Sequence, residues 1–380
     1  MPDRTAKGAV VDPVTVRLDL SSPFAPLLAQ LTDRAGMMVS PKAAKAEGDK
    51  FGLHPVCAGP FNFAERVPQD RIVLQRFAGY WDKGRIHFDK IIFQPIVDST
   101  VRLANLQSGG LDLIERVAPT DLRAIRVDRR LRIASIVALG YQGITINLAN
   151  GPRAKTPLGE DSRVRQAFDL AIDRDVITNV VYNGEFFPGN QWVPPNNPYY
   201  VQSVPIPRRD VAKAKALLLA AGVPHPKVTL MTPPNPDLQQ VAQIIQNLTK
   251  DAGFDVTIQA VEFAASLQAA QKGDFEAYLV EWSGRADPDG NVFNFLSCKG
   301  PLNDGRYCNP DMDNELTLAR TTEDPVERLK HYQRATAIEA KDLPIIYIFH
   351  RQWFWAMTRK LAGFTAYPDA LIRPQDLQFK

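Results

Sequence analysis

The stretch from Lys227 to Trp282 constrains this chain more than any other. A branched apolar run covers Lys227 to Met231, a helical period follows over Leu238 to Ala252 with Gly253 just past its end, and a second apolar run spans Phe254 to Val261. A helical segment from Phe263 to Lys272 and a third run from Phe275 to Trp282 complete the series. Strands alternating with helices of this length need crossover connections, so the fold class is α/β and the sheet is parallel or mixed. In open sheets of that kind ligands gather beyond the carboxyl ends of the strands, and Trp282-Ser283-Gly284-Arg285 stands at such an end.

The same alternation is visible upstream. A strand is expected at Val14 to Leu20 and another at Ile91 to Val97, then a helix opened by Ser99 and stopped at Gly109-Gly110. A strand at Leu111 to Val117, a short helix after Pro119 and a strand at Leu131 to Val137 follow. A second series begins with a strand at Gly143 to Leu148 and a helix from Asp161-Ser162, in which Val164, Phe168, Ala171 and Ile172 recur at helical spacing. Asp210 caps a helix that ends at Gly222. After Trp282 two helices are expected, the second opened by Asp324-Pro325, and then a hydrophobic strand pair over Ile345 to Thr358.

At 380 residues the chain exceeds one ordinary core, which predicts about two domains. Lys and Arg total 45 against 42 Asp and Glu, mixed along the chain without a basic stripe, so nucleic acid is a poor partner. No run approaches the ~20 apolar residues of a membrane span. Residues Met1 to Gly8 are polar and lack the apolar core of a secretory signal, which reads as a cytoplasmic chain or as one whose export signal has been removed. Of the three cysteines, Cys298 and Cys308 lie in one turn-rich segment; they are either a disulfide closing a small loop in an oxidising compartment or two ordinary thiols, with Cys57 apart. The five histidines are scattered and no CxxC occurs, so neither a metal nor a cofactor is expected.

The usual catalytic signatures, GxSxG, GxGxxG, GxxxxGK[ST] and HExxH, are absent. What remains is the segment Glu281-Trp282-Ser283-Gly284-Arg285-Ala286-Asp287-Pro288-Asp289-Gly290-Asn291. An indole, a permanent cation and small residues after a strand suit the holding of a polar organic molecule. The alternative is that Trp282 is core and Arg285 pairs with Asp287 or Asp289.

Several segments in order along the chain resemble the peptide and nickel type of solute-binding protein of ABC importers, family 5. They are His54-Pro55-Val56-Cys57-Ala58-Gly59-Pro60-Phe61, Tyr80-Trp81, and Asp98-Ser99-Thr100-Val101-Arg102-Leu103 with Leu106-Gln107-Ser108-Gly109. Val164-Arg165-Gln166-Ala167 with Ala171-Ile172-Asp173-Arg174, the alanine and lysine helix from Asp210 with Gly222, and Trp282 with Asp287-Pro288-Asp289 complete the set. The resemblance implies a two-lobed, periplasmic-binding-protein-like fold (type II, cluster C), N-terminally truncated, since family members carry further residues before the strand at Val14 to Leu20. Sheet edges left bare by such a truncation would invite self-association or a missing N-terminal segment.

Carried over residue by residue, the resemblance implies that lobe one is residues 9–139 plus 350–380 and lobe two is 140–349, with hinge strands near Leu139 to Gln142 and Phe349-His350. The ligand would lie in the cleft between the lobes, met by Tyr141, Gln142, Phe263, Trp282, Ser283, Arg285 and Asp287. In peptide binders of the family the third residue after the tryptophan is an aspartate that receives the ligand's ammonium; here it is Arg285, which turns the expected ligand towards an anion. An opine-like conjugate, a sugar acid or a modified peptide fits that change, unless Asp287 slides into the aspartate's place. The implied partner is an ABC importer permease and the implied location extracytoplasmic. The rival readings are an α/β enzyme, which would need paired titratable groups near Glu281, Asp287 and Asp289, and a non-transporting assembly module.

Overall fold

The computed structural model describes residues 5–380, with side chains from residue 8. They form two compact units, 5–29 with Ala138–Arg351 and Gln30–Val137 with Gln352–Lys380. Residues 9–29 cluster with Ala138–Arg351. Ala25 N–H donates to the Arg320 carbonyl at 2.9 Å, and the Arg320 guanidinium lies over the Phe24 ring. Ahead of that contact β1 (Thr5–Asp12) and β2 (Thr15–Leu20) form an antiparallel hairpin.

The first unit is built on a mixed sheet of β8 (Tyr141–Ile146), β9 (Phe187–Pro188), β10 (Lys227–Thr232), β11 (Asp255–Ala260), β12 (Ala277–Trp282) and β13 (Ile345–His350). The strand order is β11-β10-β12-β8-β13-β9. β10 runs parallel to both β11 and β12, as the helices between them require, and β8 runs antiparallel to β12 and β13. Ile144, Leu230, Leu279 and Ile346 bury the centre of the sheet. Chain chemistry sets the helix ends. Asp161, Asp210 and Asp324 each accept a backbone N–H at the start of the helices Ser162–Ala171, Val211–Ala220 and Pro325–Asp342. The helix Phe263–Lys272 stops at Gly273, at φ 76°, where a Cβ would stand 2.1 Å from the Asn150 carbonyl oxygen.

The second unit holds the antiparallel sheet β3 (Phe61–Val67), β4 (Arg71–Arg76) and β5 (Lys90–Phe93). A second sheet has β14 (Gln352–Thr358) between β6 (Leu113–Glu115) and β7 (Leu131–Val137), and β15 (Leu361–Ala362) pairs with β16 (Gln378–Phe379). The helix Ser99–Ser108 begins at the cap Asp98 and ends at left-handed Gly109.

Three expectations need correction. The strands over Ile91 to Val97 and Leu111 to Val117 are shorter, covering Lys90–Phe93 and Leu113–Glu115. Three helices rather than two follow Trp282: Asp289–Leu296, Pro310–Thr321 and Pro325–Asp342. The run Ile345 to Thr358 is not a strand pair. β13 pairs with β8 and β9, and β14 pairs with β6 and β7, so the two strands belong to different sheets.

Candidate functional site

The loop after β12 is fixed by close backbone approach. Gly284 sits at φ 86°, where a Cβ would meet the Leu139 carbonyl carbon at 2.2 Å; a Cβ on Gly140 would meet the Trp282 carbonyl oxygen at 1.7 Å. Only glycine suits either position. Asn291, buried near the start of the helix Asp289–Leu296, accepts from Trp282 Nε1 at 3.0 Å and from Arg285 N–H at 2.7 Å, and donates to the Leu139 carbonyl at 2.9 Å.

Arg285 then extends over Trp282, its guanidinium carbon 4.5 Å from the indole centroid, with Nη1 donating to the Gly284 carbonyl at 2.7 Å. Such a stacked cation keeps its charge while its plane is held, which suits recognition of a carboxylate. Trp282 packs edge-on to Phe295, at 4.9 Å between centroids, and Phe295 in turn meets Tyr141.

The two acids of the loop have other partners. Asp287 takes both terminal nitrogens of Arg328 at 2.6 Å, and Asp289 takes Arg320 Nε and Nη2 at 2.7 Å each. Both pairs are nearly or fully buried. Asp287 thus has both oxygens committed to Arg328. Arg320 and Arg328 had no local signal; the partners are 31 and 41 residues apart. Asn291 closed the quoted segment, but its role depends on a contact across 152 residues.

Of the other expected site residues, Tyr141 is core, edge-on to Tyr347 at 4.7 Å. Gln142 is buried, and its side-chain oxygen and nitrogen make no hydrogen bond among the described residues. Ser283 is exposed beside Trp282. Phe263 is half exposed on the helix after β11, two strands away from β12 across the sheet. The structure thus brings Trp282, Ser283 and Arg285 together and leaves Phe263 apart. Cys298 and Cys308 are joined as a disulfide in the segment that follows, while the Cys57 thiol is exposed and free. Among the described residues no group of three His, Cys, Asp or Glu side chains could hold a metal ion, and no helix is long and apolar enough to cross a membrane.

With this geometry in place, comparison with known proteins settles the family. Residues 2–303 match the bacterial extracellular solute-binding proteins, family 5 Middle. The chain belongs to family 5 of the solute-binding proteins. It is 30% identical to the glutathione-binding protein GsiB of Salmonella paratyphi A over 99% of this chain and 74% of that protein. It is 26% identical to the dipeptide-binding protein of Escherichia coli K12, over 97% of this chain and 70% of that protein. Among solved structures, a dipeptide-binding protein from Pseudoalteromonas sp. SM9913 in complex with Met-Leu superposes with a TM-score of 0.87 at 23% identity, covering 99% of this chain and 76% of that one. That likeness shows the two-lobed family fold expected on the sequence. Family 5 is a family of binding proteins and not of enzymes, so the missing catalytic signatures are in keeping with it.

Proposed function

We propose that this chain is the extracytoplasmic receptor of an ABC-type importer and that its solute is peptide-like with carboxylates in excess over ammonium groups. Its two compact units are the two lobes, and the chain turns between them near Ala138 to Gln142 and Phe349 to Arg351. The observation that carries the ligand class is the Arg285 guanidinium stacked on Trp282, at the position where the family resemblance implies an aspartate in peptide binders. A cation there repels the ligand's ammonium and attracts a carboxylate, and a desolvated mismatch costs several kcal/mol. The relatives named for glutathione and dipeptide binding support a peptide-like frame, and glutathione, whose carboxylates outnumber its ammonium, matches the reversed charge. Opine-like conjugates and sugar acids share the carboxylate without that frame.

Calorimetric titration of wild type, Arg285→Ala and Arg285→Asp with glutathione and with a zwitterionic dipeptide tests this. Arg285→Ala is expected to weaken glutathione binding by about 2 to 5 kcal/mol, the scale for truncating one member of a desolvated charge pair, with a smaller change in stability. Arg285→Asp is expected to abolish glutathione binding and to favour the dipeptide. Equal affinities across the three proteins would sink the reading.

A further inference from the structure

An isolated arginine at a strand end is a floppy cation; here it is not isolated. The stem of Arg285 lies against the backbone of Gly290, where a Cβ would stand 2.6 Å from both Arg285 Cβ and Cγ, and its guanidinium lies on the Trp282 ring. The side chain is therefore bounded by a helix start on one side and an indole on the other. Both boundaries are referenced to one buried amide. Asn291 Oδ1 accepts from the Trp282 indole N–H and from the Arg285 backbone N–H, while Nδ2 donates to the Leu139 carbonyl just ahead of β8. An oxygen facing two donors and a nitrogen facing a carbonyl fix the orientation of the amide. Around it the Asp287 to Arg328 and Asp289 to Arg320 pairs pin the turn and the helix that carry Asn291.

We infer that Asn291 is the positioning residue of the ligand-facing loop, and that it sets where the Arg285 guanidinium meets a ligand carboxylate by tying Trp282, Arg285 and Leu139 to one side chain. The inference rests on the reading of Arg285 given above. Preorganisation of this kind acts on affinity, because a group already held in place loses little freedom on binding. A residue with a role only in folding would lower stability and leave the contribution of Arg285 untouched. Asn291 acting through Arg285 makes the two substitutions non-additive in binding.

The test is a double-mutant cycle of Asn291→Ala and Arg285→Ala, with glutathione affinity read by calorimetry up to millimolar concentration and melting temperature read on the same samples. Asn291→Asp is run alongside; it keeps both acceptor contacts but sets a carboxylate oxygen against the Leu139 carbonyl in place of the amide donor, and the melting temperature of each variant shows which of the two is folded and carries the test. Asn291→Ala is expected to weaken glutathione binding at least tenfold when Arg285 is present and less than twofold when it is not, and Asn291→Asp is expected to show the same dependence on Arg285. Equal losses in the two backgrounds, or no loss in either, overturn this inference and leave the reading of Arg285 standing. An Arg285→Ala protein that binds like wild type, or a wild type that does not bind glutathione, overturns both.

Discussion

His350 shows how one buried side chain makes stability depend on pH. It ends β13, fully buried, with Nδ1 2.8 Å from the Gly140 carbonyl oxygen, so Nδ1 carries the proton and donates while Nε2 makes no hydrogen bond among the described residues. Burial pulls its pKa down to about 4, against the weaker upward pull of that hydrogen bond. A histidine neutral when folded but protonated when unfolded supports the fold fully above about pH 6.5, and that support is lost as pH falls towards 4. The loss is on the order of 3 kcal/mol. Glu339 works in the opposite sense: burial raises its carboxyl well above the usual range, so its ionisation opposes folding as pH rises. The histidine is therefore read from the difference between wild type and His350→Gln in urea melts from pH 7 to pH 4. That difference is expected to shrink by a few kcal/mol on acidification, and parallel pH profiles would refute the assignment. The same scale shows what local reading misses. Asp287 stands two residues from Arg285 in the sequence, yet its oxygens go to Arg328 on another helix.

At the scale of elements, what depends on local period was legible and what depends on partners was not. The helix Phe263–Lys272 and the strand Leu131–Val137 have the bounds that their residue patterns predict, because caps, glycine stops and apolar period are local. β13 and β14 share one apolar pattern, but partner strands from distant segments separate them into different sheets. The helix Asp289–Leu296 was missed because part of its stability is remote: Asp289, buried in its first turn, is held by Arg320 from the next helix. Arg320→Ala leaves that carboxylate buried and alone, and is expected to cost about 3 to 5 kcal/mol in denaturant unfolding. A cost below about 1 kcal/mol would show the pair to be dispensable. Just beyond that helix, the Cys298 to Cys308 disulfide closes a short loop and Cys298 N–H donates to Asp313, which begins to order the helix Pro310–Thr321. Peptide mapping without reductant is expected to find the two cysteines joined in protein from an oxidising compartment, and Cys298→Ser with Cys308→Ser is expected to cost about 2 to 3 kcal/mol. Recovery of both as free thiols would remove the bridge from the account.

At the scale of the whole chain, the two compact units are set by contacts between distant segments, which length and local pattern do not specify. Residues up to Ala29 join the first unit through contacts such as that of Ala25 with Arg320, and no nearby residue pattern signals a partner so far along the chain. Each unit has its own buried apolar set: Ile144, Leu230, Leu279 and Ile346 in the first, Leu106, Leu122, Ile125 and Trp355 in the second. Separate cores give each unit its own balance of burial against chain entropy, so a single all-or-none transition is not the expectation. Scanning calorimetry should give a calorimetric enthalpy larger than the van't Hoff enthalpy, resolved into at least two transitions. Arg320→Ala identifies the transition of the first unit, since both members of that pair belong to it. Trp282, Arg285 and Asn291 belong to the same unit, so saturating glutathione should raise that transition, by about 2.7 kcal/mol of stabilisation at a hundredfold excess over Kd. The rise should fall below about 1 kcal/mol in Arg285→Ala at the same glutathione concentration. Coincident transitions with equal enthalpies would show the chain to unfold as one body, and a glutathione shift undiminished in Arg285→Ala would place the ligand's main anchor elsewhere.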